Sequence, residues 1–151
     1  MSKRRTFLRS AVGIGSGATL AAMAGAAAAP PGRTAVPGGI RLGELYFASG
    51  ATGVRPERRK DPSVPPGDIG EQTERILERH KKNLEALGSS LENVLKVTVF
   101  LADPKNDRTG MNAAYAKFFP KDAPARSAIG VQFPDDATKV EIELIAWIPA
   151  K

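Results

Sequence analysis

Val94-Leu95-Lys96-Val97-Thr98-Val99-Phe100-Leu101 is the stretch on which the fold turns. Rich in β-branched and aromatic residues and closed by Asp103-Pro104, it predicts a strand. Strict alternation puts Leu95, Val97, Val99 and Leu101 on one face and Lys96, Thr98 and Phe100 on the other. A strand with one apolar face needs a covering layer, and the flanking sequence supplies two helices. Upstream, Asp68 and Glu71 have capping-box spacing, Ile69, Ile76, Leu77, Leu84 and Leu87 recur at helical intervals, and Gly88 stands where such a helix would stop. Downstream, a segment from about Asp107 carries Met111, Ala114, Tyr115 and Phe118 at i, i+3, i+4 and i+7 and ends at Phe119-Pro120. This alternation calls for an α+β or α/β sandwich with the helices packed on one face of a sheet.

Further out, Ile40-Arg41-Leu42 and Leu45-Tyr46-Phe47-Ala48-Ser49-Gly50 flank a Gly43-Glu44 turn and predict a hairpin. The continuous apolar character of its second arm predicts burial on both faces. Ser127 to Phe133 and Lys139 to Ile148 predict two more strands, joined by the turn Pro134-Asp135-Asp136. Pro30 to Gly39 reads as an extended, partly mobile lead-in. The stretch from Ala51 to Gly67 is broken by prolines and gathers Arg55, Arg58, Arg59 and Lys60, which favours a solvated surface loop over an anion-binding one.

Residues 1–28 are set apart from this domain. Arg4-Arg5-x-Phe7-Leu8, a weakly apolar run from Ala11 to Ala24 and the small residues Ala26 to Ala29 resemble a twin-arginine (Tat) export leader. The apolar run is diluted by Gly13, Gly15, Ser16, Gly17 and Thr19, too polar for a comfortable membrane span. The division is then a leader over 1–28, a lead-in over 29–39 and one domain over 40–151, exported to the periplasm or secreted, with no stable membrane span after cleavage. Lys3, Arg4, Arg5 and Arg9 lie in the leader, which has no acid, so the formal charge of +6 falls to +2 without it. Most of the basic excess is thus a targeting device, and nucleic acid is not an expected partner. The absence of cysteine excludes disulfides, thiol nucleophiles and Cys-ligated metal.

No G-x-S-x-G elbow, P-loop, G-x-G-x-x-G or Cys/His pair is present. The polar residues left beside apolar strands are few. Arg126, in Pro124-Ala125-Arg126-Ser127-Ala128-Ile129, opens a strand and fits either a structural salt bridge or a bidentate carboxylate clamp. Facing strands would bring it to a glutamate of Lys139-Val140-Glu141-Ile142-Glu143, where Glu141 and Glu143 share a face. Two like charges on one face place at least one of them at solvent, an interface or a cleft. Asn112 lies on the polar side of the second helix. His80, the only histidine, reads as a core-edge residue, and a lone histidine excludes a histidine-cluster metal site.

Taken together and in order, Leu45–Gly50, Gly67–Thr73, Asn83–Leu91, Val94–Asp103, Met111–Tyr115 with Phe118-Phe119, Pro124–Ser127 and Val140–Glu143 resemble the RidA family (YjgF, L-PSP) of reactive-intermediate deaminases, over about Gly43 to Ile148. The resemblance implies a chorismate-mutase-like α+β sandwich, a mixed sheet with two helices on one face, assembled as a homotrimer with sites in clefts between subunits. It implies hydrolysis of enamines and imines such as 2-aminoacrylate to 2-keto acids and ammonia, with no metal and no cofactor. In that scheme Arg126 holds the substrate carboxylate, Glu141 positions or activates the attacking water, and Ser49 and Asn112 line the pocket. The chemistry agrees, since an imine is already electrophilic and asks only for orientation, proton transfer and a placed water. Three departures bear on substrate range. Ala35-Val36-Pro37-Gly38-Gly39 replaces a G-P-Y-S/V-Q stretch and lacks its pocket tyrosine, Ala128 stands where cysteine is frequent, and the segment after Gly50 is longer and more basic. The alternatives are a non-catalytic binder of small carboxylates and, ranked below it, a ribonuclease, for which no aromatic platform interleaved with basic residues is present.

Overall fold

The computed structural model describes residues 30–150, and the export leader expected over 1–28 lies outside them. Its strands are β1 (Arg33–Val36), β2 (Gly39–Leu42), β3 (Leu45–Ala48), β4 (Ala51–Thr52), β5 (Val94–Leu101), β6 (Ala125–Gly130) and β7 (Val140–Trp147). Helices α1 (Ile69–Ala86) and α2 (Arg108–Phe118) complete the fold. The strands form one mixed sheet in the order β1-β2-β3-β7-β5-β6, with β4 also paired to β7. β5 and β6 run parallel and every other pair is antiparallel.

α1 begins and ends as its sequence predicts. The Asp68 carboxylate accepts from the Glu71 backbone N–H while the Glu71 side chain accepts from the N–H of Asp68, a reciprocal cap contributing about 1 kcal/mol. At the far end Gly88 takes φ 76°, and the N–H groups of Gly88 and Ser89 close on the carbonyls of Glu85 and Leu84. Ile76, Leu77 and Leu84 are fully buried beneath it, each contributing on the order of 1.5–3 kcal/mol. They meet Met111, Tyr115 and Phe119 of the α2 segment and the inward residues of the sheet: Tyr46, Val97, Val99, Leu101, Ile142, Leu144 and Ala146. Both helices therefore cover one face, as the sandwich reading requires. No helix among the described residues is long and apolar enough to cross a membrane.

Five local expectations are corrected. The Pro/Gly-rich lead-in carries β1, paired to β2 from Arg33↔Leu42 to Val36↔Gly39, because the glycine turn at Gly38 (φ 72°) folds it back. β3 is buried on one face only, with Leu45 and Phe47 exposed on the other, since the helices cover a single side. Leu95 is exposed and Val94 buried, because a register shift between Val94 and Lys96 breaks the alternation at the start of β5. The last two strands are not hairpin partners. β6 ends at Gly130 and lies parallel to β5, which separates it from β7. His80 is not at the edge of the core but inside it, 1% exposed, its Nε2 donating to the Ile142 carbonyl at 2.9 Å.

Candidate functional site

β7 supplies the acidic part of the site. Its alternation buries Val140, Ile142, Leu144 and Ala146 against the helices and leaves Glu141, Glu143 and Ile145 half-buried on the open face. Glu141 lies opposite Thr52 of β4 and Phe100 of β5, and Glu143 opposite Thr98. The Glu141 carboxylate rests directly on Gly50, where an added Cβ would come within 1.8 Å of its Oε1. Ser49, exposed beside Gly50, is fixed by its N–H donating to the Gly38 carbonyl at 2.8 Å. Gly50 thus adjoins the Glu141 carboxylate, and Ser49 is its neighbour in the chain.

The start of β7 is held by a residue that the sequence reading passed over. Gln72, fully buried on α1, donates to the Gly67 and Ala137 carbonyls at 3.0 and 2.8 Å and accepts from the Lys139 N–H at 3.0 Å. Lys139 in turn pairs with Asp107 at 3.3 Å, tying the first turn of α2 to the same point. These contacts fix Glu141, two residues on, relative to both helices. Its position on the apolar stripe, three residues after Ile69 and four before Ile76, was the available signal.

Arg126 lies elsewhere. On β6 it pairs with Val97, in the row of Leu144 that faces the helices, whereas its neighbour Ser127 shares the row of Thr98 and Glu143. Its guanidinium carbon sits 4.5 Å from the centroid of the Tyr115 ring and its Nη1 points at the Met111 sulfur at 3.8 Å. It has no ion pair among the described residues. Arg126 and Glu141 do not meet within one chain, because β5 intervenes and their side chains leave opposite faces of the sheet. The expectation that facing strands would join them is corrected accordingly. Ser127 on the open face accepts instead from the Lys96 ammonium at 2.7 Å.

Beside Arg126, α2 holds two buried oxygens without hydrogen-bond partners, Asn112 Oδ1 and the Tyr115 hydroxyl. They belong to residues one helical turn apart on α2. Burial pushes the Tyr115 phenol up to about 12, with the Arg126 charge pulling back in the other direction. Tyr115 read from the sequence as part of the apolar stripe only, and its second contact, with Arg126, depends on a pairing of β6 that local spacing does not specify. The basic stretch is a folded loop. Arg55 pairs with Glu71 at 2.7 Å and holds that carboxyl below its ordinary range, while Arg58 binds the Pro62 and Val64 carbonyls. Arg55 and Arg58, with Thr52, Arg59 and Arg79, line an open groove of about 580 Å³, where Asp135 and Asp136 offset two of the four cationic side chains.

The endoribonuclease L-PSP family profile matches residues 26–148. A RutC family protein of Pyrococcus abyssi is 40% identical over 109 residues, covering 72% of this chain and 82% of its own. The 2-iminobutanoate/2-iminopropanoate deaminase of Escherichia coli is 36% identical over 112 residues, 72% of this chain and 83% of that protein. Among solved structures, RidA from an Antarctic Psychrobacter superposes with a TM-score of 0.63 at 31% identity, covering 74% of this chain and 86% of that one.

Proposed function

This chain belongs to the RidA/YjgF/L-PSP family, and from that membership we propose that it is a hydrolytic deaminase of reactive enamine and imine intermediates, releasing 2-keto acids and ammonia. The observation that carries the reading is the state of Arg126. An aromatic ring and a thioether hold its guanidinium, so no carboxylate of the described residues occupies its fork. A fixed planar cation with free in-plane donors suits a 2-imino carboxylate, bound through two parallel hydrogen bonds.

In this reaction the enamine tautomerises to the imine, and water adds to C2 while Glu141 takes its proton. The C2=N electron pair moves to nitrogen, which is protonated, giving a carbinolamine. Collapse of that species forms the C2=O bond as the C–N bond breaks, and ammonia departs. Arg126 orients the substrate through its carboxylate, while Ser49 and Asn112 line the pocket and Glu141 places the water. The separation of Arg126 from Glu141 within one chain supports a site completed by a neighbouring copy. So does the open sheet face, where Phe47, Ile129 and Trp147 stay 40%, 48% and 41% exposed. On the family resemblance, the proposed assembly is a homotrimer with its sites between subunits. The twin-arginine pattern at Arg4-Arg5 supports export to the periplasm or beyond.

The test is ammonia release by the purified protein from enzymatically generated 2-aminoacrylate and a panel of other imino acids. Arg126→Ala is expected to cost about 30- to 3,000-fold in kcat/KM, the loss typical of a truncated charge pair. Full activity in that variant would refute the role given to Arg126. Thermal stabilisation by 2-keto acids without turnover would instead make the protein a binder of small carboxylates.

A further inference from the structure

Arg126 stands on a strand whose six residues are all exposed, and a long side chain at such an edge is free to sample many rotamers. A carboxylate partner would fix it but would also occupy the donors that a ligand needs. Tyr115 fixes it differently. Its ring contacts the guanidinium across the aromatic face, at 4.5 Å, and so leaves the donor edge of the cation available apart from the Nη1 hydrogen aimed at the Met111 sulfur. The ring is itself immobile, 5% exposed in the core and packed against Phe119 with centroids 4.6 Å apart and planes tilted by 31°. Its hydroxyl is buried with no partner, so the ring and not the oxygen makes the contact with Arg126.

We propose that Tyr115 is a positioning residue: its ring holds the Arg126 guanidinium in the orientation that presents a bidentate donor pair to the carboxylate of a 2-imino or 2-keto acid. The proposal rests on the deaminase reading for its ligand, while the Tyr115–Arg126 contact itself is independent of that reading. It places the rigidity of the carboxylate clamp on α2, away from the strand that carries the arginine.

The experiment compares Tyr115→Leu, which removes the ring, with Tyr115→Phe, which keeps it. Tyr115→Met, closer in volume and equally without a π face, takes the place of Tyr115→Leu where the latter does not fold. Removing the ring is expected to raise KM for 2-aminoacrylate, and Kd for pyruvate by calorimetry, about 3- to 30-fold with kcat within about threefold, the signature of lost uniform binding. Tyr115→Phe should stay within about twofold of the parent on both. A fall in Tyr115→Phe equal to that in Tyr115→Leu would assign the work to the hydroxyl and overturn the proposal. An unchanged KM in Tyr115→Leu would overturn it too. A second readout needs no ligand: the rate at which phenylglyoxal modifies Arg126, followed by peptide mass, should rise when the ring is removed and not in Tyr115→Phe. If the parent protein neither deaminates imines nor binds pyruvate, the deaminase reading fails alone. The modification rates then decide this proposal, and equal rates with and without the ring overturn it.

Discussion

Arg126 and Glu141 carry opposite charges and stand on strands separated only by β5, yet the chain holds them by different means. The glutamate is set by backbone. β7 is paired on both sides, its first residues are gripped by Gln72 and Lys139, and the carboxylate lies against the bare Cα of Gly50. The arginine is set by side chains. Its strand is an edge paired on one side, and its head group is located by the Tyr115 ring and the Met111 sulfur. A group that must hold a reacting water benefits from rigid surroundings, whereas a clamp for a diffusing carboxylate benefits from donors left unpaired. Substitutions near Glu141 should therefore act on kcat, and substitutions near Arg126 on KM.

The widest departure from that division would come from Glu141→Gln. The amide is close to isosteric but cannot take a proton from water, and a general base is worth about 100- to 10,000-fold. Steady-state kinetics should show kcat reduced by about that factor with KM for the imino acid nearly unchanged. A change confined to KM would move Glu141 from the water to the substrate and erase the contrast with Arg126.

Gly50→Ala probes the same half more gently. A Cβ at 1.8 Å from Oε1 cannot be accommodated without moving the carboxylate, though the obstacle is a side chain that can swing aside. The expected outcome is about 10- to 100-fold lower kcat, in line with the effect of a misplacement of about 1 Å. Stability should change little, so a circular-dichroism melt close to that of the parent is part of the prediction. Parental kcat would mean that the contact with Gly50 does not locate the carboxylate.

How much of this was legible in the sequence follows the same division. Features fixed by near neighbours were readable: the Asp68/Glu71 cap, the stop at Gly88, the span of β5, and the shared face of Glu141 and Glu143. Features fixed by distant pairing were not. Proline and glycine between Pro30 and Gly39 argue locally against a strand, but β2 offers an edge and β1 takes it. Ser127 to Phe133 and Lys139 to Ile148 are adjacent in sequence, and nothing local says that β5 will separate them. The side of the sheet on which Arg126 lies follows from its register with Val97, so the pairing with Tyr115 was hidden even though both residues had been singled out. The slip at Leu95 had the same origin, a register shift that alternation cannot reveal.

The smallest expected effect concerns the support beneath Glu141. His80 donates from Nε2 to the carbonyl of Ile142, the residue next to Glu141, and its Nδ1 is buried without a partner. Burial lowers the His80 pKa below its ordinary 6.5, outweighing the bond to Ile142, which favours the charged form. Between the lowered folded value and 6.5 the unfolded chain binds the proton more readily, so stability rises with pH across that window. The contribution is therefore fully present above about pH 6.5 and is lost progressively as pH falls through that window toward the folded pKa. Thermal midpoints taken from pH 7.5 down to about pH 5 should decline in the parent and decline less in His80→Gln, which cannot titrate. Protonation would place a second N–H and a charge at the buried Nδ1, where no acceptor waits, so acid should drive the ring out of its place under β7 even though its bond to Ile142 favours the charged form. Acid should then disturb the backbone-held half before the side-chain-held half, with kcat falling at a pH where KM has not yet moved. A drop in midpoint of equal slope in both proteins would trace the acid sensitivity to groups other than His80.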